Sequence, residues 1–169
     1  YICSQLVKAL KELEAHGAIS HNHEILVIPS VNRFSMNVGK RFWPTDNSDI
    51  NRAFPGDVNG DTTKQIAGTL FDRIKGYSYG IHFASFYMPG DFIPHVKMMD
   101  TGFQSASLAN LFGLQYVVIR KPKPMDTVTL NYNWQMNGTN AFSIYTNSTD
   151  MIDEKSARQA VSSVLRFLT

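Results

Sequence analysis

The sequence has one cysteine, Cys3, in 169 residues. No internal disulfide can form, which fits a reducing compartment. Cys3 lies in an amphipathic helical pattern, where a thiol packs as a small apolar side chain. No apolar run reaches the roughly 18 to 20 residues of a membrane-spanning helix, and no secretory signal pattern is visible. A cytoplasmic protein without membrane contact is the expectation. A long basic run is also missing: 16 basic residues stand against 14 acidic ones, a net charge of +2. Nucleic acid is therefore not a favoured partner. The nearest basic group, Arg120, Lys121 and Lys123, is broken by Pro122 and Pro124 and reads as a solvated connector. Asn137-Gly138-Thr139 and Asn147-Ser148-Thr149 match the glycosylation pattern, but without a secretory signal they read as chance. There is no initiator methionine. Tyr1 opens directly into a helical pattern with no hydrophobic strand before it, so the chain reads as a fragment.

What is there is enough for one domain with a real core, since 43% of the residues are hydrophobic. Ile2, Leu6, Val7, Leu10 and Leu13 recur at helical spacing and stop at Gly17. Glu24–Ile28 is a short apolar run ended by Pro29 and predicts a buried strand. Residues 30–61 are rich in Asn, Asp, Gly and Pro and predict a long ordered loop, a feature that in compact domains is usually functional. Asp61 or Thr62 caps a helix carrying Ile66, Leu70, Phe71 and Ile74, closed by Gly76. Strands are expected at Tyr79–Phe83, Ile93–Met98, Tyr116–Ile119 and Phe142–Thr146, and a helix from about Phe103 to Phe112. Residues 120–140 read as an exposed insertion or irregular hairpin. Asp153 caps a last helix with Ala157, Ala160, Val161, Val164, Leu165 and Leu168 on one face. Helices alternating with short apolar strands predict an α/β fold with a largely parallel sheet, whose sites form in loops beyond the strands' carboxyl ends.

The densest chemical signal runs from Arg41 to Gly56 and ends in Asp49-Ile50-Asn51-Arg52-Ala53-Phe54-Pro55-Gly56. Asn51 and Arg52 side by side offer planar donors, and an arginine can hold a carboxylate through two parallel hydrogen bonds. The plainer reading is an Asx-rich surface turn with a free arginine.

This stretch resembles the Asn-Arg-Phe-Pro-Gly signature of the succinylglutamate desuccinylase/aspartoacylase family, which is related to zinc carboxypeptidases. Other segments follow in family order: Pro29-Ser30-Val31-Asn32, Arg41, the Thr63–Ile74 helix, the strand-ending Ile81-His82, and Pro94–Met98. The resemblance covers essentially the whole chain. It implies a three-layer α/β/α sandwich with a mixed, mostly parallel sheet. Residues 1–169 would form a single catalytic-type domain, lacking an N-terminal strand with the His-x-x-Glu motif and any C-terminal β domain. It implies a zinc-dependent hydrolase that cleaves the amide bond of an N-acyl amino acid or related small amide. His82 would be one zinc ligand. The other two are expected upstream of Tyr1. Arg41 would stabilise the developing oxyanion, Asn51 and Arg52 would hold a substrate carboxylate, and Asp49 would orient the arginines. The partners implied are a small N-acyl amino acid or small peptide. The aromatic-rich stretch Phe83–Gly90 reads equally as pocket lining, core or a homo-oligomer contact.

His21-Asn22-His23-Glu24 spells the same His-x-x-Glu spacing, but it follows a helix and leads into a strand, the reverse of the family order, and reads as a polar turn. Two positions depart from the pattern. Gly80 stands where the family has an aspartate two residues before the ligand histidine. Tyr145 aligns with the family's general-base glutamate, and a phenol cannot readily replace a carboxylate base. Asp150 or Glu154 could substitute, although Glu154 better supports the start of the last helix. The later carboxylate-side arginine has one weak candidate, Arg120. A non-catalytic relative that binds carboxylates, and a zinc carboxypeptidase acting on peptides, stand as alternatives.

Overall fold

The computed structural model describes residues 1–20, 22–149 and 151–169. His21 and Asp150 lie outside the described residues. Six helices, α1 (Ile2–Ala15), α2 (Arg33–Asn37), α3 (Thr62–Ile74), α4 (Ser107–Asn110), α5 (Leu130–Met136) and α6 (Glu154–Leu168), surround four strands, β1 (Tyr79–Phe86), β2 (His95–Met99), β3 (Tyr116–Arg120) and β4 (Asn140–Ser148), among the described residues.

The strand order is β1-β4-β2-β3. β1 runs parallel to β4 and β2 parallel to β3, and the two pairs meet where β2 lies antiparallel to β4. β4 is thus central, and its run Ala141-Phe142-Ser143-Ile144 is buried throughout, as a strand covered on both faces should be. One face carries Phe142, Ile144, Val96 and Met98, packed by Leu6 and Leu10 of α1 and Ala160 and Val164 of α6. The other face meets α3 and α5 through Phe54, Ala67, Phe71, Ile74 and Trp134. The result is the expected α/β/α sandwich with a mixed sheet.

The three long helices follow their sequence signals. Asp61 caps α3 by accepting from the Lys64 N–H at 2.9 Å. Asp153 caps α6 by accepting from the N–H groups of Lys155 and Ser156, and Glu154 opens that helix, where a negative charge favours its dipole. Cys3 is half-buried in α1, and burial raises its thiol pKa.

Four expectations are corrected. Glu24–Ile28 forms no strand: Ile25 and Leu26 are each 39% exposed, and the segment joins no ladder among the described residues. A strand needs a neighbour to take its backbone hydrogen bonds, and apolar content alone cannot supply one. The Phe103–Phe112 helix shrinks to Ser107–Asn110. Gln104 instead spends its amide on the Ala141 backbone, accepting from N–H at 2.6 Å and donating to C=O at 3.0 Å, which ties residues 101–106 into an irregular path. Residues 120–140 are not an exposed insertion. They hold a 3-10 turn at Pro124–Asp126 and helix α5, with Asp126, Asn131, Trp134 and Gln135 buried. Within the basic group, Lys121 and Lys123 are exposed and irregular, as a solvated connector should be, and only Arg120 departs, bound to that buried Asp126. Lastly, β1 continues four residues past His82 to Phe86, so His82 sits within a strand rather than at its end.

Candidate active site

The loop after α2 is pinned to the fold at three points. Asp46 accepts from the Thr63 N–H at 3.0 Å and from its hydroxyl at 2.8 Å, which fastens the loop to the start of α3. The Thr63 hydroxyl bond is the main reason the Asp46 pKa is lowered. Gly56 adopts φ +98° and lies against Gly68 of α3 so closely that a Cβ on Gly56 would come within 2.0 Å of the Gly68 nitrogen. Only glycine fits such a contact. Asn51 accepts from the Leu130 N–H at 3.1 Å, which ties the loop to the start of α5.

Between these points the loop displays its charged residues. Asp49 accepts from the Asn51 N–H at 2.9 Å and caps the 3-10 turn Ile50–Arg52. Its second oxygen meets Arg41 at 3.3 Å. Arg41 also lies over the Tyr87 ring, 4.9 Å from its centre. Arg52 is exposed, donates only to the Asn51 carbonyl at 3.1 Å, and has no ion pair among the described residues. Asn51 therefore has one oxygen committed to α5, while the Arg52 fork is largely unspent.

His82 projects from β1 on the α3/α5 side. Its register partner is Ser143 on β4, and Ser143 is in turn opposite Lys97 on β2. His82 is half-buried as a residue, yet its Nδ1 is withdrawn from solvent and has no hydrogen-bond partner. Burial, aided by the charge of Lys97, lowers its pKa to about 4. The imidazole is thus neutral near pH 7, with one unshared nitrogen, the state in which histidine binds a metal ion. Among the described residues no three His, Cys, Asp or Glu side chains cluster as a metal site. His82 fits a zinc ion as one ligand, and the remaining donors are not among these residues. His21 of the His-x-x-Glu run lies outside the described residues, and Glu24 accepts a hydrogen bond from the Tyr77 hydroxyl.

The two unusual positions both have a physical setting. A Cβ on Gly80 would come within 2.7 Å of the Trp134 indole, so the space that an aspartate side chain needs is filled by Trp134. Tyr145 is stacked on His95, with ring centres 5.1 Å apart and planes 6° apart, and the Lys97 ammonium lies 5.1 Å from the Tyr145 ring centre. Asp150 lies outside the described residues, and Glu154 pairs with Arg158 at 3.3 Å.

Sequence reasoning missed two features. Arg120 closes both prongs on Asp126, at 2.6 and 2.7 Å. That hydrogen bonding, with help from the Lys123 N–H and the charge of Arg52, lowers the Asp126 pKa to about 2. Arg120 is therefore occupied and does not stand open to a ligand. The second feature is a polar chain behind Ser143. Thr101 donates to Gln135 at 2.5 Å, Gln135 to Asn131 at 3.1 Å, and Asn131 to Ser143 at 3.2 Å. The i, i+4 pair Asn131 and Gln135 is its signal, although on a helix it reads as a solvated face.

Comparisons with known proteins agree with this architecture. A succinylglutamate desuccinylase/aspartoacylase structure from Rhodobacter sphaeroides superposes with a TM-score of 0.72 at 21% identity, over 83% of this chain and 43% of that one. A product-bound ectoine utilization protein from Ruegeria pomeroyi gives 0.70 at 21% identity, over 84% and 45%. An N-alpha-acetyl-L-2,4-diaminobutyric acid deacetylase of Halomonas elongata is 37% identical over 50 residues, 30% of this chain and 14% of that protein. The chain thus spans less than half the length of these relatives. The model of the succinylglutamate desuccinylase/aspartoacylase catalytic domain matches residues 1–169, and the chain belongs to that family.

Proposed function

We propose that this domain is the larger part of the catalytic unit of a zinc-dependent deacylase that hydrolyses the amide bond of an N-acyl amino acid or related small amide. The observation that carries the reading is the buried, unpartnered Nδ1 of a neutral His82 in a fold whose Asn51-Arg52 loop leaves an arginine fork open. In this reading His82 supplies one zinc ligand, and the other two come from a segment before Tyr1. A zinc ion held there would supply a hydroxide nucleophile at neutral pH. Arg52, with the Asn51 amide, holds the substrate carboxylate and so fixes the amide in place. Arg41, held by Asp49 and laid over Tyr87, stabilises negative charge developing on the carbonyl oxygen. The family and its deacylase relatives support amide hydrolysis.

The test is turnover by the full-length, zinc-loaded protein on N-acetyl, N-succinyl and C-terminal peptide substrates. Hydrolysis that needs both zinc and His82 is expected; its absence with every substrate sinks the reading. Preference for the peptides would favour the carboxypeptidase alternative. One observation favours a carboxylate-binding module without turnover: Tyr145 occupies the aligned base position and is stacked on His95. Calorimetric binding of N-acyl amino acids that survives His82→Ala, with no hydrolysis, would support that alternative.

A further inference from the structure

The polar chain behind Ser143 has a direction. The Phe103 N–H donates to the Thr101 hydroxyl oxygen at 3.3 Å, and Thr101 gives its own proton to Gln135 at 2.5 Å. The Gln135 amide donates to Asn131 at 3.1 Å, and the Asn131 amide to Ser143 at 3.2 Å. Every link donates toward Ser143, and hydrogen bonds aligned in one sense polarise and strengthen one another. Gln135, Asn131 and Ser143 are all buried, so water scarcely competes for these links.

The chain ends on an unspent proton. A serine hydroxyl has one O–H donor and two acceptor sites. Among the described residues, the bond accepted from Asn131 is the one hydrogen bond that the Ser143 side chain makes. A buried hydroxyl whose proton finds no acceptor is unfavourable unless a ligand brings one.

That proton belongs to the row of the sheet that carries His82. Ser143 is the register partner of His82 on the neighbouring parallel strand, about 4.8 Å away backbone to backbone and turned to the same face. α5 covers that face at two places: Asn131 reaches Ser143, and the Trp134 indole lies against Gly80, two residues before His82. The start of α5 is fixed to the loop of Asn51 and Arg52, because the Leu130 N–H donates to Asn51 at 3.1 Å. α5 therefore bridges that loop and the row of His82, and Ser143 is where it meets the row. The Nδ1 of His82 has no partner of its own, so the serine proton is not spent there.

We propose that Ser143 is a substrate-binding residue, which gives its hydroxyl proton to an uncharged oxygen of the bound substrate. Thr101, Gln135 and Asn131 are positioning residues. By donating toward Ser143 they fill an acceptor site on its oxygen and leave its proton for the ligand. The proposal rests on the hydrolase reading for its substrate, but the hydrogen bond can be measured without turnover.

The experiment uses the full-length, zinc-loaded protein and Ser143→Ala, Ser143→Thr, Thr101→Val and Thr101→Ser variants, each first shown to melt cooperatively. Calorimetry measures three ligands that cannot be cleaved. Two are the ketone isosteres of N-acetyl-alanine and N-acetyl-glutamine, in which a methylene replaces the amide nitrogen. The third is 2-methylpentanoate, which keeps the carboxylate and lacks both other oxygens. Ser143→Ala should weaken at least one isostere roughly 3- to 10-fold and leave 2-methylpentanoate within about twofold. A loss on both isosteres assigns the serine to the carbonyl oxygen, and a loss on the glutamine isostere alone assigns it to the side-chain amide. Ser143→Thr keeps a hydroxyl and should keep the binding. Thr101→Val, three links away and isosteric, should weaken the same isostere in the same direction, and Thr101→Ser should not. Isosteres bound equally by wild type and Ser143→Ala overturn the proposal, even where amides are cleaved. So does an equal loss on all three ligands, which would make Ser143 a support of the sheet. A selective loss upholds it, even where no amide is cleaved and the hydrolase reading alone fails.

Discussion

The Arg120 guanidinium and the Asp126 carboxylate form a two-pronged ion pair, at 2.6 and 2.7 Å, that joins the end of β3 to the turn before α5. Asp126 is 4% exposed and also accepts from the Lys123 N–H at 2.6 Å. An aspartate ordinarily titrates near 3.9, and here the folded value is about 2. A depressed pKa contributes stability that is present above the unfolded value and is lost as pH falls through the folded one. Asp126 should therefore contribute roughly 2 kcal/mol at neutral pH, fading between about pH 4 and pH 2. Asp126→Asn should lower the unfolding free energy by at least that amount at pH 7, because it also leaves Arg120 without its anion. Urea denaturation of both proteins across this range checks it: a pH-independent gap between them would contradict the assignment.

Gly80 and Trp134 make a second test. The indole atoms stand 2.7 to 2.9 Å from where a Cβ on Gly80 would be. Restoring the family's aspartate by Gly80→Asp should therefore destabilise the domain, by roughly 1 to 3 kcal/mol for the steric clash alone and more for the buried charge. Adding Trp134→Ala would open the space, at the cost of a cavity of its own. The double variant should lose less than the sum of the two single losses. Thermal and chemical denaturation of the four proteins gives the coupling directly, and simple additivity would mean that the two residues do not compete for the same volume.

How far the sequence reveals this structure depends on where each signal resides. α1, α3 and α6 were legible because apolar spacing and a stop agree in each, with a capping aspartate, Asp61 or Asp153, opening the latter two. α5 was not, because three of its four buried residues, Asn131, Asn133 and Gln135, are polar, and their hydrogen bonds to Ser143, Thr129 and one another satisfy them inside the fold. Polarity in sequence then looks like solvent exposure. Glu24–Ile28 misled in the opposite sense: its apolar residues describe a strand, but a strand also requires a partner. At the candidate site, residue identities from Arg41 to His82 could be named from resemblance. The open state of Arg52 and the Lys97–Tyr145–His95 stack could not, because each depends on register across β2 and β4 or on the path of the loop.

Arg41 and Asp49 are predicted to differ in their effects on catalysis. If Arg41 stabilises charge on the carbonyl oxygen, Arg41→Ala should lower kcat of the full-length enzyme roughly 100- to 1000-fold with little change in KM. Asp49→Asn keeps an acceptor for the Asn51 N–H and removes the charge that holds Arg41, so its loss should be smaller and should appear in kcat as well. A change confined to KM in Arg41→Ala would assign Arg41 to substrate binding instead.

Zinc binding should separate the domain from the whole protein. His82 presents one neutral nitrogen, and among the described residues no cluster of His, Cys, Asp or Glu completes a metal site around it. One imidazole cannot hold zinc tightly, because a stable site needs three or four donors placed together. The 169-residue chain by itself should therefore bind zinc weakly and without fixed stoichiometry. The full-length protein should bind one equivalent, and His82→Ala should abolish or sharply weaken that binding. Elemental analysis after exhaustive dialysis, with competition against a chelator, distinguishes the two. Tight stoichiometric zinc in the isolated chain would overturn this assignment and bring His21 and Glu24 back as ligands. In that case Glu24 would have to give up the hydrogen bond it accepts from Tyr77, a change visible as an altered tyrosine absorbance on metal addition that Tyr77→Phe should remove.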